Sequence, residues 1–91
     1  MVDKIRCAHI LVKSQNMAQE VLDLIKQGKS FSQLAEQYST DGSRRRGGDL
    51  GFFGRGIMVR EFEKAAFALQ KGEISPIIKT QFGYHIIKRI E

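Results

Sequence analysis

The chain has 91 residues, 42% hydrophobic and 27% charged, with a formal net charge of +5. A chain of this length buries roughly 60 to 65% of its extended surface in one core, so a single domain spanning 1–91 is expected, with no room for a second module. No apolar run approaches the roughly 18 residues needed to span a bilayer, and a lone cysteine, Cys7, excludes an internal disulfide. Although Lys4 and Arg6 are basic, the Cys7 to Val12 stretch is too short and too interrupted by His9 for a signal-peptide core. A reducing, cytoplasmic setting is therefore expected.

In chain order, Ile5 to Val12 reads as a strand with Ile5, Cys7, His9 and Leu11 alternating on one face. Cys7 there suits a small buried thiol better than a nucleophile. Ser14 or Asn16 starts a helix whose apolar face is Met17, Val21, Leu24 and Ile25, closed by Gly28. Ser30 with Gln33 has the form of a capping box, and Phe31, Leu34, Ala35 and Tyr38 mark a second helix. Both stripes read as core. Ser39 to Arg46 is a polar, basic loop. Its Arg44-Arg45-Arg46 run lacks interleaved aromatics, which predicts weak attraction to anionic surfaces and no specific nucleic-acid partner.

Arg46 to Gly56 carries five glycines in eleven residues, interleaved with Leu50, Phe52 and Phe53. Large apolar side chains would be wasted on a flexible linker, so this stretch predicts a shaped surface at or beside the functional site. Phe62, Ala65, Ala66 and Leu69 then mark a third apolar helical face ending near Gly72, and Pro76 blocks its continuation. Ile77-Ile78 and Tyr84 to Ile90, separated by a turn around Gln81 to Gly83, finish the chain as a strand pair. The order implies an α+β domain.

His9, the Gly47-Gly48-Asp49-Leu50-Gly51 turn, the Met58/Phe62 pair and the Phe82-Gly83-Tyr84-His85-Ile86-Ile87 strand stand in one register. In this order they resemble the parvulin family of peptidyl-prolyl cis/trans isomerases, over about Ile5 to Ile90. The resemblance implies a four-stranded antiparallel sheet surrounded by about four helices, and isomerisation of X-Pro bonds in flexible polypeptide substrates. It implies no metal and no cofactor, and a monomer is expected.

By the same resemblance, His9, Asp41, Thr80 and His85 form a central hydrogen-bond network. Leu50, Met58 and Phe62 form the proline pocket, with Phe53 and Phe82 at its border. Asp41 stands where some parvulins have cysteine, which removes a covalent route; on the residues alone it is equally a turn or cap residue before Gly42. The histidines can serve either as a mutually orienting pair or in proton transfer. Phosphate-directed parvulins carry a long basic loop after the first strand, whereas Lys13 to Asn16 supplies one lysine, so no phospho-Ser/Thr requirement is expected. A proline-peptide binding or chaperone module without turnover is the alternative.

Overall fold

The structure, a computed structural model, describes residues 2–91. It contains strands β1 (Lys4–Val12), β2 (Asp49–Gly54), β3 (Ile78–Thr80) and β4 (Gly83–Arg89), and helices α1 (Gln15–Lys26), α2 (Phe31–Tyr38) and α3 (Arg60–Ala68). A 3-10 helix, Gly42–Arg46, completes the set of about four helices.

The helix starts follow local chemistry. Ser14 accepts a hydrogen bond from the Met17 N–H, and Ser30 accepts one from the Gln33 N–H, each satisfying a donor that the first turn leaves orphaned. The buried stripe of α1 is centred on Ala18 and Val21, with Leu24 and Ile25 packed beside them. Met17, expected in that stripe, is 36% exposed, and its neighbour Ala18 is the residue buried at this end of the helix. The stretch expected as a plain loop, Ser39 to Arg46, is ordered in two parts. Thr40 donates its N–H to the Leu11 carbonyl, and the Ser39 hydroxyl accepts from the Leu11 N–H, which ties residues 39–41 to the end of β1. Asp41 then caps the 3-10 helix by accepting from the Ser43 N–H at 2.9 Å.

The sheet is antiparallel throughout, in the order β2-β1-β4-β3, so the first and last strands of the chain are its centre. Strand alternation sorts β1 into two faces. Ala8, Ile10 and Val12 pack with Ile86 against α1 and α2, while Ile5 and Cys7 pack with Ile87 against Phe62, Ala66 and Leu69 of the α3 region. Cys7 is fully buried, and desolvation pushes its thiol up to about 11, as suits the inert reading. Two glycines permit close chain crossings. A Cβ on Gly48 would lie 2.3 Å from the His9 carbonyl oxygen, and one on Gly83 would lie 2.6 Å from that of Val12; both have positive φ.

Candidate active site

The β1–β4 register pairs His9 with Ile87 and Leu11 with His85, which makes the two histidines diagonal neighbours on the α3 face. Their rings lie edge to edge and nearly coplanar, with centroids 5.2 Å apart, planes 20° apart and the two Nδ1 atoms 3.0 Å from each other. Thr80, the last residue of β3, places Oγ1 at 2.7 Å from His85 Nε2, and the same oxygen accepts from the Phe82 N–H at 3.1 Å. Asp41 Oδ2 stands 3.1 Å from His9 Nε2, but off the line of the ring N–H, so that nitrogen has a charge partner without an aligned acceptor. The structure thus brings together the four polar residues singled out in the sequence.

The Asp41 carboxylate beside His9 Nε2 favours a proton on that nitrogen and so one direction for the protons. With one lone pair of Thr80 Oγ1 facing the Phe82 N–H, its hydroxyl hydrogen is available to His85 Nε2. His85 then carries its proton on Nδ1 and donates to His9 Nδ1, which leaves the His9 proton on Nε2, facing the Asp41 carboxylate. The opposite tautomers would point a ring lone pair at that carboxylate. Phe62 meets both rings edge-on, at 5.5 Å from His9 and 5.4 Å from His85, and holds their planes from the α3 side.

Burial dominates the titration of the pair. Desolvation lowers His9, against the opposing pull of Asp41. Desolvation, reinforced by His9, lowers His85 from 6.5 to about 4. Asp41 is raised by its own desolvation, but the hydrogen bonds from Ser43 and the contact with His9 outweigh this and hold it at about 2. Both imidazoles are therefore neutral at pH 7 beside an ionised Asp41.

A pH dependence of stability follows. Between pH 6.5 and about 4 the unfolded chain binds a proton that folded His85 refuses, so stability falls as pH falls through that window. Complete passage costs on the order of 3 kcal/mol at 1.36 kcal/mol per pKa unit. Asp41 works in a lower window: its contribution is present above its unfolded value of 3.8 and is lost as pH falls toward 2. Thermal unfolding followed by circular dichroism from pH 7 to pH 4 should show a declining melting temperature whose slope flattens in His85→Gln. An equal slope in both proteins would show that another group controls acid stability.

Above the histidines opens a pocket of about 320 Å³, lined by His9, His85 and Asp41 and by Leu11, Leu50, Ile57, Met58, Val59, Phe62 and Phe82. Of the apolar residues singled out in the sequence, Leu50, Met58, Phe62 and Phe82 line this pocket. Phe53 does not: it is 5% exposed and packs behind Phe62 and against Phe67, supporting the pocket wall from the core. Strand alternation decides this, since in β2 Phe52 turns to solvent and Phe53 inward. Leu11, Ile57 and Val59 were missed. Leu11 was legible, two residues after His9 on the same strand face, whereas nothing in the sequence marks Ile57, which is 71% exposed. The loop bearing Ile57 and Met58 is fastened to α3 by Glu63, which accepts from the Gly56 N–H at 2.6 Å and approaches Arg55 at 3.9 Å. A wider groove of about 550 Å³ opens on the opposite sheet face, between Phe31 and Lys88, and contains none of the four polar residues.

The site is thus an apolar pocket floored by a hydrogen-bonded, neutral histidine pair, with one carboxylate at its edge. The family model for the rotamase, PPIC-type PPIase domain matches residues 9–91, and the chain belongs to this parvulin family of peptidyl-prolyl cis/trans isomerases. Foldase protein PrsA 1 of Bacillus cereus is 56% identical over 86 residues, covering 93% of this chain and 30% of its own length. The crystal structure of PrsA from Bacillus subtilis superposes with a TM-score of 0.95 at 52% identity, covering 98% of this chain and 35% of that one. NmPin, the parvulin of Nitrosopumilus maritimus, superposes with a TM-score of 0.89 at 49% identity, covering 100% of this chain and 99% of its own. The chain thus spans about a third of the foldases and nearly the whole of NmPin.

Proposed function

We propose that this domain acts as a general folding isomerase, rotating X-Pro bonds of unfolded or flexible segments without requiring phospho-Ser or phospho-Thr. The observation that carries the reading is the apolar pocket with ionised Asp41 at its edge and neutral imidazoles beneath it. Rotation about an X-Pro bond must overcome a barrier of about 18 to 20 kcal/mol that comes from amide resonance. Water stabilises the charge-separated planar imide, so transfer into an apolar pocket lowers the barrier to twisting. A carboxylate near the imide carbonyl opposes the same charge separation. Five decades of acceleration require about 7 kcal/mol, within reach of these two effects together.

On this reading, His9, His85, Thr80 and Asp41 are the catalytic set, with the histidine pair orienting the site rather than exchanging protons. Leu50, Met58, Phe62 and Phe82 hold the proline ring. A monomer in a reducing, cytoplasmic setting belongs to the same reading. A protease-free prolyl isomerase assay on the purified chain tests it. Saturable binding of proline peptides with no acceleration of exchange would favour the binding-module alternative.

A peptide with Ala before Pro should be turned over at least as well as one with phospho-Ser. Lys13 places Nζ 3.4 Å from the carbonyl of the pocket residue Phe82, and Arg44 to Arg46 do not line the pocket. One exposed lysine contributes about 0 to 1 kcal/mol to an ion pair, less than tenfold in selectivity. Specificity constants at low and physiological salt decide the matter. A phosphopeptide preference above about tenfold that collapses in salt would overturn the expectation.

A further inference from the structure

Asp41 lines two concavities. On one side it closes the proline pocket; on the other it begins a shallow groove of about 580 Å³ walled by Gln37, Tyr38, Arg44, Arg45 and Arg46. All three arginines are exposed. Among the described residues, the ion pairs of Arg6, His9 and Arg55 account for every carboxylate contact to a cation, so none reaches these arginines. Arg46 donates Nε to the Asp49 carbonyl, which leaves Arg44 and Arg45 with unengaged guanidinium forks. Asp41 forms no ion pair with them; its carboxylate contacts His9 and the Ser43 N–H.

We propose that this groove is a substrate subsite for acidic side chains, continuous with the proline pocket. The inference rests on the isomerase reading, since a proline seated over the histidines sets the register of the chain. A bound polypeptide continues beyond its proline, and an extended chain advances about 3.3 Å per residue. Asp or Glu two to four residues from the proline, on the segment leaving past Asp41, therefore comes to Arg44 and Arg45. Guanidinium forks match carboxylates by paired hydrogen bonds. A polypeptide suits the groove better than single-stranded nucleic acid. Its one aromatic, Tyr38, is half-buried against the α1–α2 core and offers no stacking platform.

The test uses peptides sharing an Ala-Pro core, with Glu-Glu, Ser-Ser or Lys-Lys placed two to four residues before or after proline. Exchange NMR gives the specificity constants, and anisotropy of labelled peptides gives binding. With Glu-Glu on one side only, we expect about a fivefold advantage over Ser-Ser at low salt, through KM, falling toward unity at physiological salt. In Arg44→Gln/Arg45→Gln the ratio of Glu-Glu to Ser-Ser should fall to one. Turnover of the Ser-Ser peptide without a Glu-Glu advantage, or an advantage that survives in the double variant, overturns the subsite and leaves the isomerase reading intact. Arginine-dependent binding of the Glu-Glu peptide with no turnover of any peptide would sink the isomerase reading while the subsite stands. A single-stranded oligonucleotide that displaces the Glu-Glu peptide and binds more tightly through the same arginines would reassign the groove.

Discussion

Replacing His85 with leucine should remove most turnover and lower the melting temperature in the same protein. The leucine leaves the Thr80 hydroxyl and His9 Nδ1 without their partner in a region where both residues are over nine-tenths buried. Each orphaned buried group costs about 1 to 3 kcal/mol, so a loss of roughly 2 to 6 kcal/mol is expected. Because His9 would no longer be held in one tautomer, its Nε2 proton would cease to face Asp41 reliably, and the site would lose its polarity as well as its shape. Thr80→Val acts on the same chain one link earlier, and Thr80→Ser, which keeps the hydroxyl, should restore most of both losses. Thermal unfolding, specificity constants and imidazole nitrogen shifts on one set of samples separate the roles of the pair. Near-complete loss of rate at an unchanged melting temperature would argue for direct proton transfer and against the orienting role.

Phe62→Ala and Met58→Ala should fail in different ways, although both residues read as pocket side chains in the sequence. Phe62 is 3% exposed and touches both histidine rings and Phe53, so its truncation opens a cavity at the centre of the α3-side core. Such substitutions cost about 3 to 5 kcal/mol, a large share of the 5 to 15 kcal/mol that holds an ordinary domain together. Met58 is only half-buried and sits on the loop fastened by Glu63, so Met58→Ala should leave the melting temperature nearly unchanged. Its loss should appear in KM, at about 1 to 3 kcal/mol of apolar contact with the proline ring. Circular dichroism with isomerase kinetics decides it. A Met58 variant that loses activity only in step with folding would place that residue in the core and the ring elsewhere.

Much of this was legible because it is written in short-range pattern. The alternation of Ile5, Cys7, His9 and Leu11 marks a strand face, and Ser30 before Phe31, Leu34, Ala35 and Tyr38 marks a helix with its cap. The glycines at 47 and 48 announce close crossings, although what they cross, Ser32 for Gly47 and the His9 backbone for Gly48, appears only in three dimensions. Phe53 misled because two adjacent phenylalanines on a strand carry no mark of which faces the core. That is decided by the pairing of Ile5 with Phe53 across β1 and β2. Ser39 to Arg46 misled because polar residues suggest a solvated loop, whereas Ser39 bonds the end of β1 and Asp41 caps a helical turn.

The sequence by itself determined the order of the main strands and helices, one face of the first strand and the family, because hydrophobic period and turn chemistry act between residues a few positions apart. Tertiary structure alone decided that β1 and β4 meet at the sheet centre, which brings His9 and His85 together across 76 positions of the chain. It likewise decided the tautomers, the neutrality of the pair and the place of Arg44 and Arg45 beyond Asp41. Desolvation and hydrogen-bond direction depend on what surrounds a group in space, and no local pattern of residues carries that information.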